Sequence, residues 1–135
     1  MNSKGDTRKT HLAIFTDLVG KVDRIETGKS ARVTLEVKDE MKADEQGLIH
    51  GGFTFGLADY AAMVAVNDPF VVLLSANVFF RKPVVSGDRL TAHAIVTETE
   101  GNRKRVSCEI FNQDQIKVFE GEFQCMILNK HILAK

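Results

Sequence analysis

His50-Gly51-Gly52-Phe53-Thr54-Phe55-Gly56-Leu57-Ala58-Asp59-Tyr60-Ala61-Ala62-Met63-Val64-Ala65-Val66 is the stretch on which the fold turns. From Phe53 to Val66 the only ionisable carboxylate is Asp59. A helix that is apolar all round must be buried all round. A curved antiparallel sheet wrapped about this segment would bury it. Asp68 and Pro69 are expected to stop the helix.

The flanks supply such a sheet. Lys21 to Glu26 reads as one strand. Ala31, Val33, Leu35 and Val37 alternate with Arg32, Thr34, Glu36 and Lys38, the period of a strand with one face buried and one wet. Gly28 between them suits a hairpin. Residues 39–49 read as a polar loop. After Pro69, Val71 to Arg81 is apolar on both parities, which predicts burial on both faces. Three more strands follow, separated by Ser86-Gly87-Asp88, Glu100-Gly101-Asn102 and residues 112–115. Short turns predict that these four strands are antiparallel neighbours. Ahead of the sheet, His11, Leu12, Phe15, Leu18 and Val19 form a stripe at helical spacing, expected to pack on a sheet edge. The class is α+β, one sheet with one dominant helix. Residues 1–9 are expected to form a flexible arm and residues 10–135 a single domain.

Composition narrows the function. The chain has 135 residues, 18 basic and 18 acidic, and a formal net charge of zero. Balanced charge argues against nucleic acid and anionic membranes as partners. No apolar run approaches the ~20 residues of a membrane helix, and the polar N-terminus does not read as a signal peptide. Cys108 and Cys125 make neither a metal motif nor a disulfide framework. A reducing cytoplasm is the expected setting.

Within the decisive stretch, Asp59 is the chemical oddity. Its helical neighbours three and four residues away are Phe55, Gly56, Ala62 and Met63, and none can pair with its charge. An unpaired desolvated carboxylate is costly or has a raised pKa, which marks it as a functional candidate. Gly51-Gly52 would let a ligand approach the backbone. There the first N–H groups of the helix can stabilise an oxyanion. His50 could orient a substrate or cap a carbonyl. Gly52 and Asp59 stand seven residues apart, roughly 10 Å along one helix, too far to serve one carbonyl. Cooperation would need Gly52 of one subunit to face Asp59 of another, across antiparallel helices related by a twofold axis. The strand Val71–Arg81 could lie at that interface.

These residues resemble a known family. His50-Gly51-Gly52 followed by Leu57-Ala58-Asp59-Tyr60-Ala61 is similar to the HGG-x6-D signature of hotdog-fold acyl-CoA thioesterases of the phenylacetate-degradation (PaaI-like) type. Phe80-Arg81-Lys82-Pro83…Gly87-Asp88-Arg89-Leu90 is similar to that family's F-x-R-P…G-D-x-L stretch. The likeness covers roughly residues 20–128. It implies a hotdog fold, a dimer or dimer of dimers, and hydrolysis of an acyl-CoA thioester to acid and CoA, with no metal or other cofactor. It implies Asp59 as nucleophile or general base, Gly52 as the N–H that polarises the carbonyl, and His50 as a positioning residue, with Gly51 beside them. Where the family commonly has Asn, this chain has Asp44, which cannot donate a hydrogen bond when ionised. Ser75 and Asn77 lie near where some relatives carry a strand Ser or Thr. Arg81, Lys82, Arg103, Lys104 and Arg105 are candidate contacts for the CoA phosphates. Phe53, Phe55, Tyr60 and Met63 are candidates for an acyl pocket or for plain core. The alternative is a non-catalytic acyl-CoA-sensing hotdog module, as in the fatty-acid-synthesis repressors, which lack the helix carboxylate and carry a DNA-binding region.

Overall fold

The computed structural model describes residues 5–135. Its elements run α1 (Thr16–Val19), β1 (Lys21–Glu26), β2 (Ser30–Glu36), a 3-10 turn (Asp39–Met41), α2 (Gly51–Val66), β3 (Val71–Phe80), β4 (Arg89–Glu100), β5 (Arg103–Phe111) and β6 (Lys117–Ile127). The strands form one antiparallel sheet in the order β1-β2-β4-β5-β6-β3. This is the hotdog arrangement that the resemblance implied. No described helix is long and apolar enough to cross a membrane.

Alternation does what period two requires. Ala31, Val33 and Leu35 of β2, Leu90, Ala92 and Ala94 of β4, and Val106, Cys108 and Ile110 of β5 are buried against α2, while their neighbours face outward. Gly28, at φ +74°, turns the β1–β2 hairpin, and Lys29 N–H donates to Glu26 C=O at 2.9 Å. Residues 60–66 of α2 are all buried. Its first half is different: Gly52, Phe53, Phe55, Gly56 and Asp59 keep one side partly open.

Three expectations are corrected. First, β3 pairs with β6 and not with β4. Ser86-Gly87 does turn the chain, with Asp88 N–H donating to Val85 C=O at 3.1 Å, but residues 81–88 do not join β3 to β4 as a hairpin. They cross to the start of α2, where Val85 bridges Leu48 and Ile49 N–H donates to Val84 C=O. Second, β3 is an edge strand and is not buried on both faces, with Leu74 47% and Phe80 56% exposed. Third, the N-terminal helix is one turn only. His11 takes φ +53°, a left-handed conformation that breaks the helical stripe. Leu12 and Phe15 are left 67% and 63% exposed, and α1 packs mainly on α2, not on a sheet edge.

Of the expected arm, residues 1–4 lie outside the described residues. Residues 5–9 are anchored. Gly5 bridges Ile25 in parallel, Asp6 N–H donates to Ile25 C=O, and Thr27 N–H donates to the Asp6 carboxylate. The anchor reaches the far end of α2. Asn67, buried at φ +54°, caps the helix by donating its N–H to Met63 C=O at 2.8 Å. Its Oδ1 accepts from Lys9 N–H, and its Nδ2 donates to Thr7 C=O and Thr27 Oγ1. The helix therefore ends at Val66, two residues before Asp68, because Asn67 tolerates the left-handed cap. Arg8 donates to the Tyr60 hydroxyl, and the His11 ring packs on Tyr60 at 6.1 Å.

Two predictions follow from this anchor. Asn67→Ala loses the left-handed preference and leaves buried partners unpaired, at a cost of about 2–3 kcal/mol in denaturant unfolding. Asn67→Gly keeps the cap conformation and should cost less. Burial, helped by Arg8, holds the His11 pKa below its usual 6.5. Folded His11 thus binds a proton less readily than unfolded His11. The anchoring is complete above pH 6.5 and weakens as pH falls below it. Protection factors of the amides of residues 7–11, corrected for the intrinsic slowing of exchange by acid, should fall on acidification, and His11→Asn should remove that fall.

Candidate functional site

The start of α2 is held from three sides. His50 N–H donates to Met41 C=O at 3.1 Å, Ile49 N–H reaches Val84, and Ala43 N–H donates to Leu48 C=O. Asp44 shapes this loop: its Oδ1 accepts from Gln46 N–H at 2.9 Å and from Leu48 N–H at 3.2 Å. That task needs only an acceptor oxygen, which Asp and Asn share. The carboxylate in place of Asn thus keeps the turn.

His50 is extended at the N-cap, with φ −62° and ψ 129°, and its side chain makes no capping bond. The exposed ring instead folds over the first turn, edge-on to Phe53 at 6.1 Å. A Cβ on Gly52 would stand 2.9 Å from His50 Nε2, and one on Gly51 would stand 3.2 Å from Phe80 Cε1. A side chain at either glycine would therefore crowd the ring that lies against it and make that ring shift. Beneath the rings the first helical N–H groups point out of the helix start, where intrahelical acceptors do not exist.

Asp59 lies two turns further on, on the same side of α2 as Gly52. The flanks of that stripe are closed. Gly56 faces Val19, Tyr60 faces Arg8 and His11, and Phe55 stacks on Phe123 of β6 at 5.7 Å. Asp59 thus sits in a trough between the N-terminal segment and β6. One carboxylate oxygen, Oδ1, is buried with no hydrogen-bond partner among the described residues. Burial pushes the Asp59 carboxyl above its usual 3.8. Cys125 of β6 is close enough to feel it: burial and then the Asp59 charge push that thiol up to about 12. A neutral thiol cannot compensate the carboxylate's charge.

The structure brings His50, Gly51, Gly52 and Phe53 together and leaves Asp59 apart from them within one chain, as the spacing predicts. Lys82 joins Gly51 at the rim of a cleft of about 310 Å³. Arg81 does not: its Nε donates to Glu120 at 2.8 Å and its guanidinium lies over Phe79 at 4.5 Å. Arg105 pairs with Glu98 at 3.0 Å, and Lys104 donates to Thr99. Ser75 and Asn77 stand opposite Gln124 and Glu122 on the outward face of the sheet, away from Asp59. Tyr60 and Met63 are core. Sequence reasoning did not single out Thr54 and Leu48, and it weighed Cys125 only as a metal or disulfide candidate. Phe80 was seen only as part of a motif, because its place against Gly51 depends on the β3–β6 register.

Comparison with known proteins places these features in a family. The family model of the thioesterase superfamily matches residues 46–119. A solved structure of an uncharacterized protein from Pyrococcus horikoshii is 50% identical over 96% of this chain and 98% of its own, with a TM-score of 0.92. The PaaI protein of the E. coli phenylacetic acid degradation operon is 28% identical over 84% of this chain and 83% of its own, at 0.77. A Streptococcus mutans protein solved with acetyl CoA is 25% identical over 83% and 90%, at 0.73. Among curated sequences, a methylthioribose-1-phosphate isomerase of Aquifex aeolicus is 49% identical over 89% of this chain but only 26% of its own length. The transcription factor FapR of Caldanaerobacter subterraneus is 27% identical over 95% of this chain and 64% of its own. The chain therefore spans between a quarter and just under two thirds of these curated relatives. With a family model that covers more than half of its length and a curved sheet wrapped about α2, this chain belongs to the thioesterase superfamily, with the hotdog fold.

Proposed function

We propose that the protein hydrolyses an acyl-CoA thioester at a site shared between two copies of the chain. The observation that carries this reading is Asp59: a half-buried carboxylate with a raised pKa and an oxygen unpartnered among the described residues, two turns from the helix start. Family membership and the likeness to a protein solved with acetyl CoA support it.

In this mechanism Asp59 takes a proton from water, and the hydroxide attacks the thioester carbonyl carbon. The carbonyl oxygen gains charge and accepts from Gly52 N–H of the second copy, at the positive end of that helix. His50, folded over Gly52, keeps the thioester seated. Collapse breaks the C–S bond, and protonated Asp59 returns its proton to the leaving thiolate. The acid and free CoA result. The raised pKa suits this task, because a stronger base takes the proton from water more readily.

The second copy also answers the open edge. The Gly5–Ile25 bridge partly covers β1, while β3 presents an edge that is unpaired among the described residues, with exposed Leu74, Phe79 and Phe80. Such an edge seeks another strand. Pairing two β3 edges about a twofold axis would set the α2 helices antiparallel, with each Gly52 toward the other Asp59.

A sensing module without turnover is the second reading, favoured by the likeness to FapR. One experiment separates the two. CoA release from an acyl-CoA panel should be measurable for wild type and fall about 100-fold or more in Asp59→Asn. Binding without release by wild type would establish the sensor. The rate should rise with pH through a single ionisation above 3.8, since only ionised Asp59 accepts a proton. Light scattering should give at least twice the 15.0 kDa of one chain, and an active monomer would overturn the shared site.

A further inference from the structure

Beside the N-terminal N–H groups of α2 opens a second feature that the hydrolytic mechanism does not use. It is the cleft of about 310 Å³ between the helix start, the end of β3 and residues 82–84. Its inner end is formed by Thr54, Val84 and Val118, all buried, and its mouth by the exposed Leu48 and Phe80. Among the described residues no carboxylate lines it, and the one charged side chain there, Lys82, stands at the exposed rim. The size falls at the lower end of small-molecule sites, which run from roughly 300 to 1,000 Å³.

We propose that this cleft receives the acyl group, that it selects uncharged acyl chains of limited length, and that Phe80 sets the limit. The proposal rests on the hydrolytic reading for its occupant. If the carbonyl oxygen meets the N–H groups at the helix start, the acyl group joined to that carbonyl must lie within a few ångströms of them. Gly51 itself lines this cleft, beside apolar Leu48, Ile49 and Val84. Phe80 is placed to govern entry. Its ring lies against Gly51, 3.2 Å from where a Cβ would stand, and meets Phe119 edge-on at 5.2 Å. It is therefore braced on two sides while 56% of it stays exposed. A terminal carboxylate on the acyl chain would have to give up water among Thr54, Val84 and Val118 with no cation at that depth, which is unfavourable.

The test is binding to Asp59→Asn, which separates recognition from turnover. CoA, straight-chain acyl-CoAs of increasing length, phenylacetyl-CoA and succinyl-CoA are titrated calorimetrically. Each methylene that enters should tighten binding about fourfold, up to a length beyond which the gain stops. Phe80→Ala should move that limit to chains at least two carbons longer. Leu48→Trp, at the mouth, should shorten it. Both positions are exposed in the single chain, but Phe80 lies on the β3 edge proposed to pair, so circular dichroism checks that the variants remain folded and light scattering that they keep the oligomeric state of Asp59→Asn. Affinity independent of chain length would overturn the proposal and indicate that the partner's side chains fill the cleft. A limit unmoved in both folded variants would also overturn it, as would succinyl-CoA binding more tightly than butyryl-CoA. Length-dependent binding that shifts with Phe80, together with wild type that releases no CoA, would uphold the cleft and remove only the hydrolytic step.

Discussion

A helix with no polar side to offer water governs this structure. Residues 60–66 of α2 are all buried, and a single flat layer would cover only one face of a cylinder. The sheet must curve, and the inward rows of β2, β4, β5 and β6 supply the apolar surface that closes on the helix. On such a helix an ionisable group survives only where the wrapping is incomplete. Asp59 stands on that remaining side, and its raised pKa follows from the same burial that stabilises everything around it.

The open side is itself framed. At one end of α2, Asn67 closes the helix and ties it to Thr7, Lys9 and Thr27. At the other, the loop organised by Asp44 and the strand-like contact of residues 84–85 hold His50 in place. The N-terminal segment then forms one bank of the trough and β6 the other. A rigid frame matters for the proposed chemistry, since an oxyanion donor acts only when it is fixed before charge develops.

The same geometry leaves two things unfinished in one chain. The β3 edge has apolar side chains in water, and the buried oxygen of Asp59 has no partner among the described residues. Both are costs to an isolated chain. A second copy, as proposed, would relieve the first and bring a helix start to the second. Oligomer and site would then be one arrangement, and the cleft beside Gly51 would open onto it.

Much of this was legible in the sequence. Period-two alternation marked β2, turn residues separated the later strands, and the apolar run from Phe53 to Val66 marked the central helix around a lone Asp59. Spacing along the helix placed Gly52 and Asp59 apart, because rise per residue is a local property. What tertiary structure alone decided concerned contacts between distant segments. The placement of β3 beside β6, the left-handed His11 that breaks the first helix, and the anchoring of residues 5–9 through Asn67 depend on partners 20 to 60 residues away. The diversion of Arg81 to Glu120 and the seating of Phe80 on Gly51 have the same origin. Local pattern determines which face of an element is apolar. Only the assembled sheet determines what meets that face, because register and strand order arise from the packing of the whole chain about α2.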